Sequence, residues 1–402
     1  MKVLFTFGGI PHYLNALLNM MQEKGVDVVV VKPQQGNATI GKGVKMVEGG
    51  RFKTIETIER NMWYGKSGFP QLPAIIKDEK PHIAVMGWPY MLQVALQPAL
   101  MRALKAGHCR LMIREIPFQT PHLGHIKEYF KKYPMHDENM VLKSKGVKFL
   151  ATQWIVAQLR KRCYRRAAGA LGYCSHAHDI MPSYGIDPRK VFVTHNSTDT
   201  PSLLATRDKV RQGQPLLKPS TKRILHIGRL VKWKRVDLLI DALAIVLKQE
   251  SEAELVIVGK GPEMENLKKQ TQALGLEKHV KMAGAVYDPQ ELGSYMNEST
   301  IYALAGMGGL SINDAMTYAM PVICSRCDGT ERDLVQDGVN GLFFKEGDAQ
   351  DLASKILTIL NSPQLVKSMG EASCRVIAEK INLNTVCDRY LAAFHATLNT
   401  TP

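Results

Sequence analysis

The chain alternates short apolar strands with amphipathic helices, and it does so in two separate series. The first runs through "KVLFTFG", "PHYLNALLNMMQEKG", "VDVVVVK", "HIAVMG" and "RLMIRE". The second runs through "RILHIGRL", "VDLLIDALAIVLKQ", "AELVIVGKG", "PEMENLKKQTQALGL", "VKMAGA", "STIYALAG" and "MPVICS". Strands that are apolar throughout and separated by helices are typical of parallel sheets covered on both faces. The sequence therefore predicts an α/β protein with two sheet domains.

A polar segment rich in turn residues, "NSTDTPSLLATRDKVRQGQPLLKPSTKR", separates the two series. With 402 residues, of which 45% are hydrophobic, the chain is long enough to build two cores. We place the domain boundary inside this segment, at residue 200. Ligands of parallel α/β sheets bind beyond the carboxyl ends of the strands, so functional residues are expected there.

Several classes of protein and site are disfavoured. No apolar run approaches the roughly 18 residues of a membrane-spanning helix, and "MKVLFTF" leads into a strand rather than a cleavable signal. The seven cysteines lack the spacing of a disulfide framework. Cys324 and Cys327 have CxxC spacing but lack the second pair or the histidines of a zinc site. We therefore expect a cytoplasmic protein without a bound metal.

More than half of the formal net charge of +15 comes from the stretch between residues 127 and 166. It holds three acidic residues and eleven basic ones, Lys127, Lys131, Lys132, Lys143, Lys145, Lys148, Arg160, Lys161, Arg162, Arg165 and Arg166. Aromatic and aliphatic residues interleave with these charges, which is typical of a surface that contacts anionic lipid. A solvated helical face fits the pattern equally well. A nucleic-acid surface is the third alternative, and we do not expect it.

Each series has a glycine turn after its first strand, at Gly8 and Gly9 and at Gly228. Glycine lets the backbone approach a ligand closely, and a helix that follows offers N–H groups to an anion. The chain contains neither GxGxxG nor a P-loop GK[ST], which disfavours a nicotinamide enzyme and a phosphate-cleaving ATPase. In "GRLVKWKRVD", Arg229 and Lys234 follow Gly228 at a helix entrance and predict a diphosphate site.

The segment "AGMGGLSINDAMTYAMPVI" at 305–323 places three glycines before an apolar helix that contains Asn313 and Asp314. A carboxylate in such a helix can accept two hydroxyl hydrogen bonds at once. This chemistry suits a ligand with neighbouring hydroxyl groups.

From Ile224 to Gly341 the sequence resembles the nucleotide-binding half of retaining glycosyltransferases of the GT-B fold, family 4, also called glycosyl transferases group 1. The matching pieces are, in order, Gly228, Arg229 and Lys234, "VGKGP" ending at Pro262, Gly309 and Leu310, "DAMTYAMPVI" at 314–323, Glu331 and "DGVNG" at 337–341. The first half resembles the family more loosely, in its glycine turn and in "NSTD" at 196–199.

The resemblance implies a GT-B fold, with two Rossmann-like domains facing each other across a cleft. Residues 1–200 would bind the acceptor and residues 201–383 the nucleotide sugar. Residues 384–402 would form a helix that crosses back to the first domain, with Tyr390, Leu391 and Phe394 on one face.

The resemblance also assigns donor-binding roles. The family usually has two glutamates eight positions apart in this segment, and Asp314 matches the second, which accepts hydrogen bonds from the ribose. Gly306 stands where the first is expected, so the backbone N–H groups of Met307, Gly308, Gly309 and Leu310 are the predicted substitutes. Gly8, Gly9, Gly228 and Gly261 are predicted to lie against the donor.

The implied reaction retains the anomeric configuration. Arg229 and Lys234 would stabilise the departing diphosphate without a metal or another cofactor. Where family members often carry a histidine near the acceptor, this chain has Arg114 and Glu115. Glu115 is therefore a candidate catalytic residue and His122 and His125 are candidate acceptor contacts, with a structural role as the alternative for each.

We therefore predict a glycosyltransferase that uses a UDP- or GDP-type sugar donor and a glycan or lipid-linked acceptor. The two alternatives for its location are the cytoplasm and the inner face of a membrane. The rival hypothesis is a non-catalytic GT-B relative that binds a nucleotide sugar or a partner protein. It is motivated by Gly306 and by the absent histidine.

Overall fold

The computed structural model describes residues 1–34, 50–117, 120–135, 141–144, 146–327 and 329–399. Its internal contacts divide the chain into two compact units. The first unit contains residues 1–137, 142–196 and 383–402, and the second contains residues 138–141 and 197–382.

The first unit is built around a parallel sheet with the strand order β3-β2-β1-β6-β7-β8-β9. Strands β4 and β5 form a separate antiparallel pair. The strands are β1 (Lys2–Thr6), β2 (Asp27–Pro33), β3 (Lys53–Thr57), β4 (Arg60–Asn61), β5 (Ser67–Gly68), β6 (Ile83–Gly87), β7 (Arg110–Glu115), β8 (Gly169–Gly172) and β9 (Val191–Val193). The helices before the second unit are α1 (His12–Glu23), α2 (Leu72–Glu79), α3 (Leu92–Leu96), α4 (Pro98–Ala106), α5 (Ile126–Lys132), α6 (Gly146–Tyr164) and α7 (Ala177–Ser183).

The second unit repeats this plan with the parallel order β12-β11-β10-β13-β14-β15. Its strands are β10 (Arg223–Ile227), β11 (Glu254–Val258), β12 (Val280–Gly284), β13 (Ile301–Leu304), β14 (Val322–Ser325) and β15 (Gly341–Phe344). Its helices are α8 (Thr200–Gln212), α9 (Val236–Val246), α10 (Met264–Ala273), α11 (Pro289–Asn297), α12 (Ser311–Thr317), α13 (Thr330–Leu334), α14 (Ala349–Leu360) and α15 (Pro363–Glu379).

Both sheets are buried on both faces, as the apolar strands predicted. In β2, Val29 and Val31 contribute to the core on one face and Val28 and Val30 to the core on the other. Alternate residues of a strand point to opposite faces, so a strand covered by helices on both sides is apolar throughout. The strand–helix alternation predicted from the sequence is confirmed in both units.

The strand order reverses between β10 and β13 in the second unit. At such a switch point the connections leave the neighbouring strands in opposite directions and open a crevice at their carboxyl ends. Gly228 follows β10 and Gly306 follows β13, so both glycine segments lie at this point.

The polar segment between the two series contains helix α8. Its polar composition did not predict a helix. Asp199 caps the helix by accepting a hydrogen bond from the Ser202 N–H at 3.3 Å. Arg207 donates to the Thr317 carbonyl at 2.8 Å and so joins α8 to the end of α12. Thr200 is the one residue of this helix that is fully buried, so the apolar periodicity that reveals most helices is missing here.

The last helix, α16 (Leu383–Asn399), belongs to the first unit, where it packs beside α1. Tyr390 and Phe394 are buried in the core that α1 shares with β1, and Leu391 packs at its edge. The Phe394 ring meets the Phe5 ring edge-on, with centroids 6.2 Å apart. No helix among the described residues is both long and apolar enough to span a bilayer.

We predict that Phe394→Ala lowers the free energy of unfolding of the first unit by about 3–5 kcal/mol, because it leaves a cavity between α16 and β1. Urea unfolding followed by tyrosine fluorescence measures the change. The control is His395→Ala, which removes an exposed side chain from the same turn. Equal unfolding midpoints for the two variants would contradict this packing role for α16.

Candidate functional site

Lys234 is held against the glycine segment at the switch point of the second unit. Its ammonium donates hydrogen bonds to the carbonyls of Met307, at 2.7 Å, and Gly308. A Cβ atom placed on Gly228 would lie 3.9 Å from Lys234 Cε. The structure thus brings together three segments that the sequence assigned to one site, at 228, 234 and 306–310.

Arg229 differs from Lys234 in having no side-chain partner among the described residues. Its side chain is half-buried and makes no hydrogen bond or ion pair with the described residues. Removing a guanidinium from water without a compensating partner costs free energy. Arg229 is therefore a cation at this edge that is available to an anionic ligand.

Glycines allow the loops of this site to pack backbone against backbone. A Cβ atom on Gly306 would lie 2.2 Å from the Trp233 carbonyl oxygen, and one on Gly259 would lie 1.8 Å from that of Gly228. Gly261 is equally constrained, because its Cβ would lie 2.1 Å from the Leu230 carbonyl oxygen. A side chain at position 306 would have to displace the backbone at Trp233. Packing therefore explains why position 306 is glycine and not the glutamate that the family usually has.

The predicted backbone donors are not equivalent. The Met307 N–H donates to the Trp233 carbonyl at 2.9 Å and is therefore already used. The N–H groups of Gly309 and Leu310 make no hydrogen bond within the described residues. Gly309 has a φ of +155°, which favours glycine. Donors for a ligand thus come from the second half of the segment rather than from Met307.

Asp314 lies on α12, largely removed from water, and the Thr198 hydroxyl near it has a smaller, opposing effect on its pKa. Asp314 is half-buried, and its Oδ1 atom is shielded from water without a hydrogen-bond donor among the described residues. Loss of hydration raises the pKa of Asp314 to about 7. The carboxylate therefore has an open acceptor atom, as the predicted contact with hydroxyl groups requires.

His226 is a residue of this site that the sequence analysis missed. It is fully buried on β10, with Nδ1 3.1 Å from the Ala303 carbonyl oxygen and Nε2 without a partner among the described residues. Burial lowers its pKa to about 4, so the ring is neutral at pH 7. A Cβ atom on Gly228 would lie 3.4 Å from Nε2. In the sequence it is marked only by a polar side chain between apolar residues of the strand "RILHI", which does not by itself indicate a functional role.

Glu331 supports the loop that follows β14. The buried carboxylate accepts hydrogen bonds from the N–H groups of Cys327, at 3.0 Å, and Gly329, at 2.9 Å. Charge-assisted bonds to backbone donors fix the path of such a loop. Cys324 is buried and Cys327 half-buried, and neither forms a disulfide within the described residues.

In the first unit, Glu115 lies at the carboxyl end of β7 with both oxygens occupied. It accepts hydrogen bonds from Arg160 Nε at 2.8 Å and from the Tyr164 hydroxyl at 2.9 Å. Glu115 and Arg160 are both buried, and the pair joins β7 to α6. The structural alternative for Glu115 fits these contacts better than a role as a catalytic base.

His122 and His125 lie together, with ring centroids 5.0 Å apart. His122 Nδ1 accepts a hydrogen bond from the Gly124 N–H at 3.1 Å, and the His125 side chain is exposed. Neither histidine forms a hydrogen bond or ion pair with Glu115 in the described structure. The two histidines are thus neighbours of each other but are not bonded to Glu115 within the described residues.

Gly8 and Gly9 follow β1 and precede α1, as the sequence predicted. Gly9 is buried with a φ of +156°, and no hydrogen bond of either N–H occurs within the described residues. No group of three or more histidine, cysteine, aspartate and glutamate side chains in the described ranges is arranged to hold a metal ion.

We predict that Asp314→Asn changes how stability depends on pH. The pKa of this carboxyl is raised from 3.8 to about 7 in the folded protein. Between pH 4 and pH 7 the carboxyl therefore keeps its proton in the folded state but loses it in the unfolded state. Its contribution to stability is complete below pH 4 and is lost as the pH rises to 7. The variant should therefore gain up to about 4 kcal/mol relative to the wild type between pH 4 and 8.

Urea titrations across this pH range measure the difference. The control is Glu277→Gln, which changes an exposed acid of the same unit. Parallel pH profiles for the wild type and Asp314→Asn would contradict the shifted pKa.

Comparisons with known proteins agree with this geometry. Residues 208–375 match the family model described as Glycosyl transferases group 1. The chain is 28% identical over 178 residues to the poly(ribitol-phosphate) alpha-N-acetylglucosaminyltransferase of Staphylococcus aureus (strain COL), over 44% of this chain and 36% of that protein. It is 31% identical over 149 residues to the phosphatidyl-myo-inositol mannosyltransferase of Mycobacterium leprae (strain TN), over 36% of this chain and 38% of that protein. The matches span less than two thirds of the length of these relatives.

Among solved structures, Anabaena Alr3699/HepE in complex with UDP superposes with a TM-score of 0.68 at 16% identity. The superposition covers 98% of this chain and 100% of that chain. The chain therefore has the GT-B fold, and its second unit matches the Glycosyl transferases group 1 family.

Proposed function

We propose that the chain is a glycosyltransferase that moves a sugar from a nucleoside diphosphate sugar to an acceptor. The observation that carries this proposal is Arg229, a half-buried cation for which the described part of the chain provides no partner. It lies beside the segment that Lys234 holds. A diphosphate is an anion that suits this edge. The family match over 208–375 and the transferase relatives support the same activity.

In the proposed reaction, the bond between the sugar and the diphosphate breaks and negative charge develops on the leaving phosphate. Arg229 stabilises that charge directly, and Lys234 adds positive charge while holding the segment in place. The N–H groups of Gly309 and Leu310 supply further donors for phosphate or sugar oxygens. These protein charges suffice for the step, so the proposal needs no metal or other cofactor.

We further propose retention of the anomeric configuration, with the acceptor attacking from the face that the diphosphate leaves. The departing phosphate then takes the acceptor's proton, so no protein base is required. This assignment agrees with Glu115, whose carboxylate is already paired with Arg160 and Tyr164. His122 and His125 remain the proposed acceptor contacts.

Asp314 is proposed to accept hydrogen bonds from the ribose hydroxyls. Only the ionised carboxylate accepts two such bonds, so nucleotide affinity should increase as the pH rises through 7. UDP is the first nucleotide to test, because it is bound in the Anabaena structure. GDP is the alternative donor base.

A non-catalytic nucleotide-sugar-binding protein is the rival proposal. It is motivated by Gly306, which lacks the carboxylate that the family usually has near the sugar. Incubation with radiolabelled UDP-sugars separates the two, because an enzyme releases UDP by transfer or slow hydrolysis. Tight UDP binding without any release of UDP would favour the rival.

We predict that Arg229→Ala lowers turnover at least a hundredfold without changing the melting temperature, because it removes charge stabilisation of the leaving group. Lys234→Ala should lower both turnover and the melting temperature, since it leaves two carbonyls without their donor. UDP release and thermal denaturation measure the two effects.

The matched control is Lys232→Ala, which removes an exposed lysine from the same turn. It should affect neither quantity. Full turnover in Arg229→Ala would exclude the proposed diphosphate site.

We also propose that α6 contacts an anionic membrane surface at the cytoplasmic face. Val147, Ala151, Trp154 and Ile155 recur at helical spacing on one face, and the exposed fractions of Val147, Trp154 and Ile155 are 83%, 58% and 54%. Lys148 adjoins this face on α6, and Lys131, Lys132 and Lys143 are exposed in the segments that precede the helix. Lys145, also part of the predicted basic stretch, lies outside the described residues. Apolar side chains bordered by lysines suit the interface of an anionic bilayer better than water.

We predict that Trp154→Ser combined with Ile155→Ser weakens binding to phosphatidylglycerol vesicles at least tenfold, because apolar area no longer inserts. Co-sedimentation at low salt measures the binding. Trp63→Ser, which removes an exposed tryptophan outside α6, is the control. A wild-type protein that binds neither phosphatidylcholine nor phosphatidylglycerol vesicles would favour the solvated helical face, and equal binding to both would remove the role of anionic charge.

A further inference from the structure

Arg114 is a cation of the first unit enclosed by aromatic rings. It lies near the carboxyl end of β7, where its Nε donates to the Tyr390 hydroxyl at 2.9 Å. Its guanidinium carbon lies 4.5 Å from the centroid of the Tyr173 ring and 5.5 Å from that of Phe7. The three rings come from α16, from the residue after β8 and from the residue after β1.

No carboxylate among the described residues pairs with this guanidinium. The adjacent acid, Glu115, points to the opposite face of the sheet and pairs with Arg160. Aromatic faces attract a cation but compensate only part of the cost of removing it from water. Arginine does not release its proton in proteins, so the site keeps its positive charge.

Two phenol groups interact with Arg114 and have no hydrogen-bond partner among the described residues. Tyr13, on α1, and Tyr173 both interact electrostatically with the guanidinium, and neither hydroxyl forms a hydrogen bond within the described part of the chain. Burial raises the pKa of both groups, so they are neutral O–H donors at pH 7. The site thus offers a positive charge and several donors to a single ligand.

We propose that Arg114, with the hydroxyls of Tyr13 and Tyr173, binds a phosphate group of the acceptor substrate. A phosphate accepts hydrogen bonds on three or more oxygens and can therefore use the guanidinium and both phenols together, which a carboxylate with two oxygens does less fully. The donor diphosphate already has Arg229 and Lys234 in the second unit. The phosphate site follows from the first unit alone, and its assignment to the acceptor rests on the proposed function.

The test measures protection of Arg114 from phenylglyoxal, quantified by peptide mass spectrometry. It uses the full chain with Arg229→Ala, which removes the proposed diphosphate cation of the second unit. The probes are inorganic phosphate, glycerol 1-phosphate, acetate and UDP. Phosphate and glycerol 1-phosphate should protect Arg114, and acetate at equal concentration should not.

The variants Tyr13→Phe and Tyr173→Phe keep the rings but remove the hydroxyls. Each should raise the phosphate concentration for half-protection about tenfold, the usual effect of losing a hydrogen bond to a charged group. Tyr287→Phe, at an exposed tyrosine of the second unit, should have no effect. Comparable melting temperatures would exclude misfolding as the cause.

Each part of the proposal fails on a different result. Equal protection by acetate and phosphate, or unchanged half-protection in both tyrosine variants, would overturn the phosphate site. Stronger protection by UDP than by glycerol 1-phosphate would overturn the acceptor assignment, because it would place the donor at Arg114. Phosphate protection of Arg114, together with a wild-type chain that never releases UDP from a UDP-sugar, would support the site and remove the proposed transferase function.

Discussion

The site of the second unit depends on the contact between the turn after β10 and the glycine segment after β13. Lys234 donates to the carbonyls of Met307 and Gly308, while the Met307 N–H donates to Trp233. Gly306 permits this approach, because any Cβ there would lie 2.2 Å from the Trp233 carbonyl oxygen. The two connections can then share one edge of the sheet, and the positions of Arg229, Gly309 and Asp314 follow from that.

Charged residues that have a charged partner within the protein can be distinguished from those that do not. The first group is assigned a structural role and the second a role in binding. Glu115 and Arg160 satisfy each other in the interior, which is how buried charges are usually tolerated. Arg229 and Arg114 have no carboxylate partner among the described residues, yet neither is fully exposed. The free-energy cost of partly burying such a cation is not compensated by an anion of the protein, and a bound anionic ligand would compensate it. The two binding proposals are therefore based on these two arginines.

The limits of sequence reasoning show at particular residues. The strands and most helices could be predicted because their apolar periodicity reflects burial, but α8 was hidden because it buries little and is defined by its Asp199 cap and its contact with Thr317. Met307 was expected to offer its N–H to a ligand, and the turn at Trp233 uses that donor instead. His226 was missed because one polar residue in a strand carries no signal until its neighbours are known.

The sequence by itself determined the α/β class, the two series of strands and the set of residues grouped near 228, 234 and 306–314. These properties follow from periodicity and from motif spacing, which are written in consecutive residues. Only the tertiary structure decided which donors and charges are already used. A partner from a distant segment, such as Arg160 for Glu115 or Trp233 for Met307, is brought near by folding and leaves no trace in the local pattern. Hydration is likewise a property of the assembled surroundings, which is why the raised pKa of Asp314 and the lowered pKa of His226 could not be inferred from the sequence.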